Sequence, residues 1–379
     1  MRRIDPARLR MLPLSQRKNK LSISEIAVGS GAAAPDLAPR VSRQVSRCAE
    51  RVRTARAARR PVILTFGAHL IKNGLGPLAG ALVEAGWLTH LATNGAGSIH
   101  DWEFAYLGRS AEDVRENTAA GRFGTWDETG RFIHLAVAVG GAAGLGYGES
   151  VGKLIHDEHL HIPSADALRE RIAARLARPD DGVQSATPAR VATLAGDADL
   201  LHMLEQYPLP EGRLNVPHPW RRFSLQCAAF GAGVPFTVHP GIGYDIIYTH
   251  PMACGGAIGR GALRDFHAYA ASVAELSGGV HLAVGSSVMA PMIFEKALSM
   301  ANNMAIGQGQ PTVSGHFLAV VDIQDGGGWD WRTGEPPMDH PAYYLRFCKT
   351  FNRMGGELDY IQLDNGAFLV ALARLLLDS

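Results

Sequence analysis

The hydrophobic pattern is clearest between residues 62 and 103. Val62, Ile63 and Leu64 form a short apolar run, followed by a turn of small and polar residues, Gly67-Ala68-His69-Leu70-Ile71-Lys72-Asn73-Gly74. Helical spacing covers 77–85 and a second strand-like run covers 89–92. Thr93-Asn94-Gly95-Ala96-Gly97-Ser98 then opens into Ile99-His100-Asp101-Trp102-Glu103, read as a loop. Strand, loop, helix and strand at this spacing predict a βαβ unit. Apolar runs return at 235–238, 280–284 and 317–321. Each ends in a glycine-bearing or polar loop, at 239–245, 285–287 and 322–328. The repetition predicts an α/β fold: a Rossmann-like, doubly wound, mainly parallel sheet with helices on both faces. Residues 41–59 alternate apolar positions and arginines at helical spacing, which predicts an amphipathic helix before the first strand.

No composition break divides the chain after that helix, so residues 1–40 read as an N-terminal arm and 41–379 as a single domain. Residues 179–188 read as a polar link between helices. The glycines of 140–148 lack the GxGxxG spacing and read as close packing at a helix start.

Charge narrows the function classes. With 37 basic and 36 acidic residues there is no electrostatic footprint for nucleic acid or an anionic membrane. No apolar run reaches the roughly 18 residues of a membrane span. Four scattered cysteines, Cys48, Cys227, Cys254 and Cys348, fit a reducing, cytoplasmic setting and form no thiolate zinc motif.

Candidate chemistry gathers after the strands, where ligands of doubly wound sheets sit. His100, Asp101 and Glu103 place an imidazole beside carboxylates, a general-base arrangement near neutral pH. A capping role for Asp101 and a first-turn role for Glu103 are equally compatible with the pattern. His239, Asp245 and His250 flank a later strand end and are candidates for the same pocket. No HxxxH or HxH spacing among these residues supports a metal, and none is expected. Trp329 and Trp331 bracket Asp330, either boxing a cation or packing a loop.

In order, these loops resemble the deoxyhypusine synthase family over roughly 62–371. The 67–74 turn resembles that family's first NAD loop, and Thr93-Asn94-Gly95-Ala96-Gly97 its second. PGIGYDIIY at 240–248 resembles an Asp-bearing segment in which Asp245 matches the second Asp. Val284-Gly285-Ser286-Ser287-Val288 resembles a glycine loop, 324–330 a segment ending on amine-binding Asp330, and Leu363-Asp364-Asn365 a late Asp that contacts NAD. The resemblance implies an NAD site built from Gly67, Ala68, His69, Asn73, Thr93, Asn94, Gly95, Gly285, Ser286, Asp322, Asp364 and Asn365. It implies an amine site with Asp245, His239, Asp330 and Trp329, a Schiff-base lysine at Lys349, and a homotetramer.

The match departs from the family at several positions. Ile99-His100-Asp101 stands where the family has a Glu-Glu pair before Asp, Pro240 replaces an NAD-contacting Asp, and Pro291 and Glu295 replace a His and an Asn. A pocket with fewer anions disfavours a polycation, so the expected activity is transient amine oxidation with aminoalkyl transfer to an acceptor other than a translation factor. A shorter stretch, 94–103, resembles the NAD-dependent ornithine cyclodeaminase domain of bacterial arginine-degrading proteins. That resemblance implies deamination of a small amine or amino acid with no lysine adduct. A non-catalytic nucleotide-binding or sensor protein is the third reading.

Overall fold

A computed structural model of the chain describes residues 2–177 and 188–378; the expected polar link, apart from Pro188, lies outside them. Six parallel strands form one sheet: β1 Val62–Phe66, β2 His90–Asn94, β3 Phe236–His239, β4 Val280–Val284, β5 Phe317–Asp322 and β6 Glu357–Gln362. Their order is β6-β5-β4-β1-β2-β3. This is the doubly wound arrangement in which winding reverses between β1 and β4, leaving a crevice at the carboxyl ends there. β6 carries no strand signal in the reading above, because Glu357-Leu358-Asp359-Tyr360-Ile361-Gln362 mixes charge into the run.

The helices used below are α1 Pro39–Ala57, α2 Ala68–Lys72, α3 Gly76–Glu84, α4 Gly95–Leu107, α5 Asp127–Ala142, α6 Tyr147–Asp157, α7 Leu225–Gly231, α8 Gly255–Ala274, α9 Met289–Gly307, α10 Arg346–Arg353 and α11 Asn365–Leu377. The period-2 alternation of β1 divides the core between two faces. Val62, Leu64 and Phe66 join a cluster with α1, α3, α5, α6 and α11. Ile63 joins Tyr269, Phe294 and Phe351 of α8, α9 and α10 on the other side. Burial on both faces explains why these strands read as continuous apolar runs.

One expectation is corrected. The polar stretch after β2 is the first turns of α4, not a loop, with Asn94 as its N-cap. Its glycines serve close contacts: a Cβ on Gly97 would lie 2.1 Å from the Thr93 hydroxyl. The 140–148 glycines sit where α5 ends and α6 begins, and a Cβ on Gly148 would lie 2.0 Å from the Phe236 carbonyl.

The N-terminal arm is docked. Leu14 and Ile23 are buried, Leu21–Ser22 pairs antiparallel with Arg109–Ser110, and Arg17 forks onto Glu103 of α4 with both N–O distances at 2.7 Å. Burial pushes the Glu103 carboxyl up, but the Arg17 charge and its hydrogen bonds bring it below the ordinary range. That stabilisation is present above the unfolded carboxyl pKa of about 4.3 and is lost as pH falls through the lower folded value. Arg17→Ala strands a buried carboxylate and should cost about 3–5 kcal/mol in urea denaturation at neutral pH. Glu103→Gln in the same background should recover part of that loss.

Candidate functional site

Strand register brings three loops to one place. Phe66 pairs with Thr93 on one side and Val284 on the other, so the chain leaves β1, β2 and β4 at a common level. Between β1 and β4 the two backbones nearly touch. A Cβ on Gly67 would stand 2.4 Å from the Gly285 carbonyl oxygen, and Gly285 itself has φ +59°. The Asn365 amide nitrogen lies 3.5 Å from where a Gly285 Cβ would be, and Asn73 donates to the Asn365 oxygen at 2.8 Å. Asp364 caps α11 through the Gly366 and Ala367 N–H groups, and Ser286 Oγ accepts from Ala290 at 3.2 Å. Ala68 and His69 open α2 beside them. The expected cofactor residues Gly67, Ala68, His69, Asn73, Gly285, Ser286, Asp364 and Asn365 therefore converge. Thr93 instead turns inward, donating to the Phe66 carbonyl at 3.0 Å. Asn94 accepts from Gly97 at 2.9 Å, and Asp322 closes a turn onto the Gln324 N–H at 3.1 Å.

A crevice walled by glycine backbone and helix starts fits a dinucleotide, whose pyrophosphate needs close N–H groups and no side chains. At Gly95 the corresponding position holds a protein carboxylate. A Cβ on Gly95 would collide with Asp245 at 2.1 Å, and Asp245 accepts from the Gly241 N–H at 2.8 Å. Burial raises the Asp245 pKa to about 6, while the Gly241 and Ala96 N–H groups restrain the rise. His239 faces α8, hydrogen-bonded to Thr237 at 3.1 Å with the Tyr269 ring 5.5 Å away; burial lowers its pKa to about 4.

The acid–base candidates divide by role. Asp101 is buried and accepts from Ser224 Oγ at 2.5 Å, Leu225 N–H at 2.9 Å and Gln226 N–H at 3.1 Å. It thus caps α7 rather than its own helix, a structural role. Glu103 accepts from Arg17, from Thr129 at 2.9 Å and from Ser110 Oγ at 2.5 Å. Ser110 Oγ also lies 2.7 Å from His100 Nδ1. The single Ser110 proton goes to Glu103, so the His100–Ser110 bond requires the imidazole proton on Nδ1. His100 Nε2 is left as an acceptor. Burial, opposed by Glu103 and aided by Lys72, Arg17 and His69, lowers the His100 pKa to about 4. The imidazole is therefore neutral at neutral pH.

Lys349, Asp330 and Trp329 fall elsewhere. Lys349 Nζ lies 3.6 Å from the Tyr343 ring centroid and 3.7 Å from Glu335, both in the connection between β5 and α10. Asp330 is exposed and forks onto Arg332 at 2.7 Å, in a cavity that also holds Arg40, Arg43 and Arg47. Those guanidinium groups repel an ammonium, which weighs against amine binding at Asp330. Trp329 donates its indole N–H to Gly334 at 2.9 Å.

Arg17, Ser110 and Lys72 went unassigned in the sequence. Lys72 stood inside the recognised first loop and was open to assignment. Ser110 and Arg17 carry no local signal: Arg17 meets Glu103 only through the docked arm, and Ser110 only through the short strand that follows α4.

No family model and no curated protein matches the chain. Among solved structures it is similar to ArgZ, an arginine dihydrolase from the ornithine–ammonia cycle in cyanobacteria, at 15% identity over 89% of this chain and 33% of that chain, with a TM-score of 0.38. It is similar to AgrE in its ternary complex with ornithine and NAD+, at 15% identity over 90% and 34%, with a TM-score of 0.41. It is also similar to a LOR/SDH protein from Methanococcus maripaludis S2, at 13% identity over 93% and 74%, with a TM-score of 0.41. The chain spans about a third of the length of the ArgZ and AgrE chains.

Asp101→Ala would leave the Leu225 and Gln226 N–H groups buried without an acceptor. A loss of about 2–4 kcal/mol in chemical denaturation is expected, whatever the effect on turnover.

Proposed function

We propose that the protein is an NAD-dependent enzyme that transiently oxidises the amine-bearing carbon of a small amine or amino acid, in the manner of an ornithine cyclodeaminase. The observation that carries this reading is the neutral His100, held by Ser110 and Glu103 with Nε2 free, on the helix that leaves β2 beside the switch-point crevice. NAD, when bound, would supply a reversible acceptor for hydride. Gly67, Gly285 and Asn365 would hold it, because they meet where the chain leaves β1 and β4. His100 would take a proton at Nε2 while Ser110 and Glu103 hold its orientation. Arg17 keeps Glu103 ionised, so the imidazolium formed in this step gains a nearby negative charge. Lys72 lies close enough to oppose that charge and so to promote release of the proton.

Aminoalkyl transfer is less well supported, since Lys349 is engaged with Tyr343 and Glu335. The small-molecule substrate, a cytoplasmic setting and a homo-oligomeric state remain part of the proposal. Among the described residues no helix is long and apolar enough to cross a membrane.

The test is ammonia release from a panel of L-ornithine, L-arginine and L-lysine with NAD. His100→Asn should lower kcat by about 10²–10⁴-fold while NAD still raises Tm, and Lys349→Ala should retain turnover. Loss in Lys349→Ala with a borohydride-trapped adduct would overturn the reading in favour of transfer. NAD binding without turnover on any amine would favour a sensor. Activity should fall on the acid side as His100 protonates near its pKa of about 4. Lys72→Met should move that limb to higher pH, because a repelling charge is removed.

A further inference from the structure

The connection between β5 and α10 folds over the start of α1 and frames a cavity of about 470 Å³, beyond β6 and outside the crevice. Arg40, Arg43 and Arg47 of α1 line it with Arg332, Trp329 and Tyr360. Two of its cations are neutralised: Arg332 by Asp330, and Arg47 by Asp359 at 3.1 Å and by Glu357. Arg40 has one bond, to the Gly328 carbonyl at 3.1 Å. Arg43 has no hydrogen-bond or ion-pair partner among the described residues.

Arg40 and Arg43 occupy the first two turns of a 19-residue helix that has no acid in its first turn and no side-chain cap. Cations there oppose the helix dipole and sit beside free N–H groups, so the arrangement is unfavourable until an anion joins them. Trp331 packs beneath this cavity and is 1% exposed.

We propose that this cavity binds a phosphate-bearing small molecule, with the phosphoryl oxygens held by the Arg40 and Arg43 guanidinium groups and the α1 N-terminus. Guanidinium forks match phosphoryl oxygens in geometry as well as charge. The volume exceeds a bare phosphate and falls within the range of small organic ligands.

The experiment is titration calorimetry of the full chain with ribose 5-phosphate, ribose and citrate, with tryptophan fluorescence followed in parallel. Ribose 5-phosphate should bind, ribose should not, and citrate should bind more weakly. Added salt should weaken the phosphate complex. The double variant R40A/R43A, which alters only exposed side chains, should weaken ribose 5-phosphate about tenfold or more with an unchanged circular dichroism spectrum. No heat at millimolar ribose 5-phosphate, equal affinity for citrate, or unaltered affinity in R40A/R43A would overturn the assignment. The outcome is independent of whether NAD or an amine occupies the crevice.

Discussion

The Glu103 carboxylate organises the working end of the molecule. A buried anion is tolerated only when its charge and lone pairs are met. Here Arg17 supplies the charge and Thr129 and Ser110 supply further donors. Those three groups come from the N-terminal arm, from α5 and from the short strand after α4, and the first of them lies 86 residues from Glu103 in sequence. The arm is docked because Glu103 needs it, and His100 is oriented because Ser110 is already committed to Glu103. Stability and chemistry here rest on the same hydrogen bonds.

A second constraint acts at the switch point, where Gly67 and Gly285 bring two backbones within van der Waals reach. Any side chain at Gly67 would meet a carbonyl that cannot retreat, because the Gly285 N–H is itself bonded to the Val321 carbonyl at 2.9 Å. Side chains are thus excluded from this point of contact. The Asp245 carboxylate shows how such a surface behaves toward an anion: the chain's own acid settles on the α4 start when its position allows.

Much of the fold was legible because buried parallel strands produce continuous apolar runs, and Val62, Val280 and Phe317 begin three of them. β6 escaped because its Glu357 and Asp359 face the arginines of α1 rather than solvent or core carbon. The start of α4 read as a loop because Gly95, Gly97 and Ser98 look like turn formers, whereas their small size serves contacts with Asp245 and Thr93. The proposed role of His100 rests on its neighbours and its place after a strand, both readable in the sequence. The roles of Asp101 and Glu103 were not readable there, since both are decided by partners distant in sequence. Asp330 misled for the same reason: a carboxylate suggests an amine site until the surrounding arginines are known.

The charges on β6 bear on how the molecule behaves in a crowd. β6 is the sheet's terminal strand, with one rim of backbone donors and acceptors unpaired by any neighbour in the sheet. Such rims template the addition of foreign strands, and inward-facing charges are one way proteins suppress it. Glu357 and Asp359 alternate with apolar residues along that rim and are already ion-paired to Arg47 on the inner side. A flat, hydrophobic strand laid alongside would meet this charged row instead of a matching apolar one, which guards the sheet against open-ended self-association.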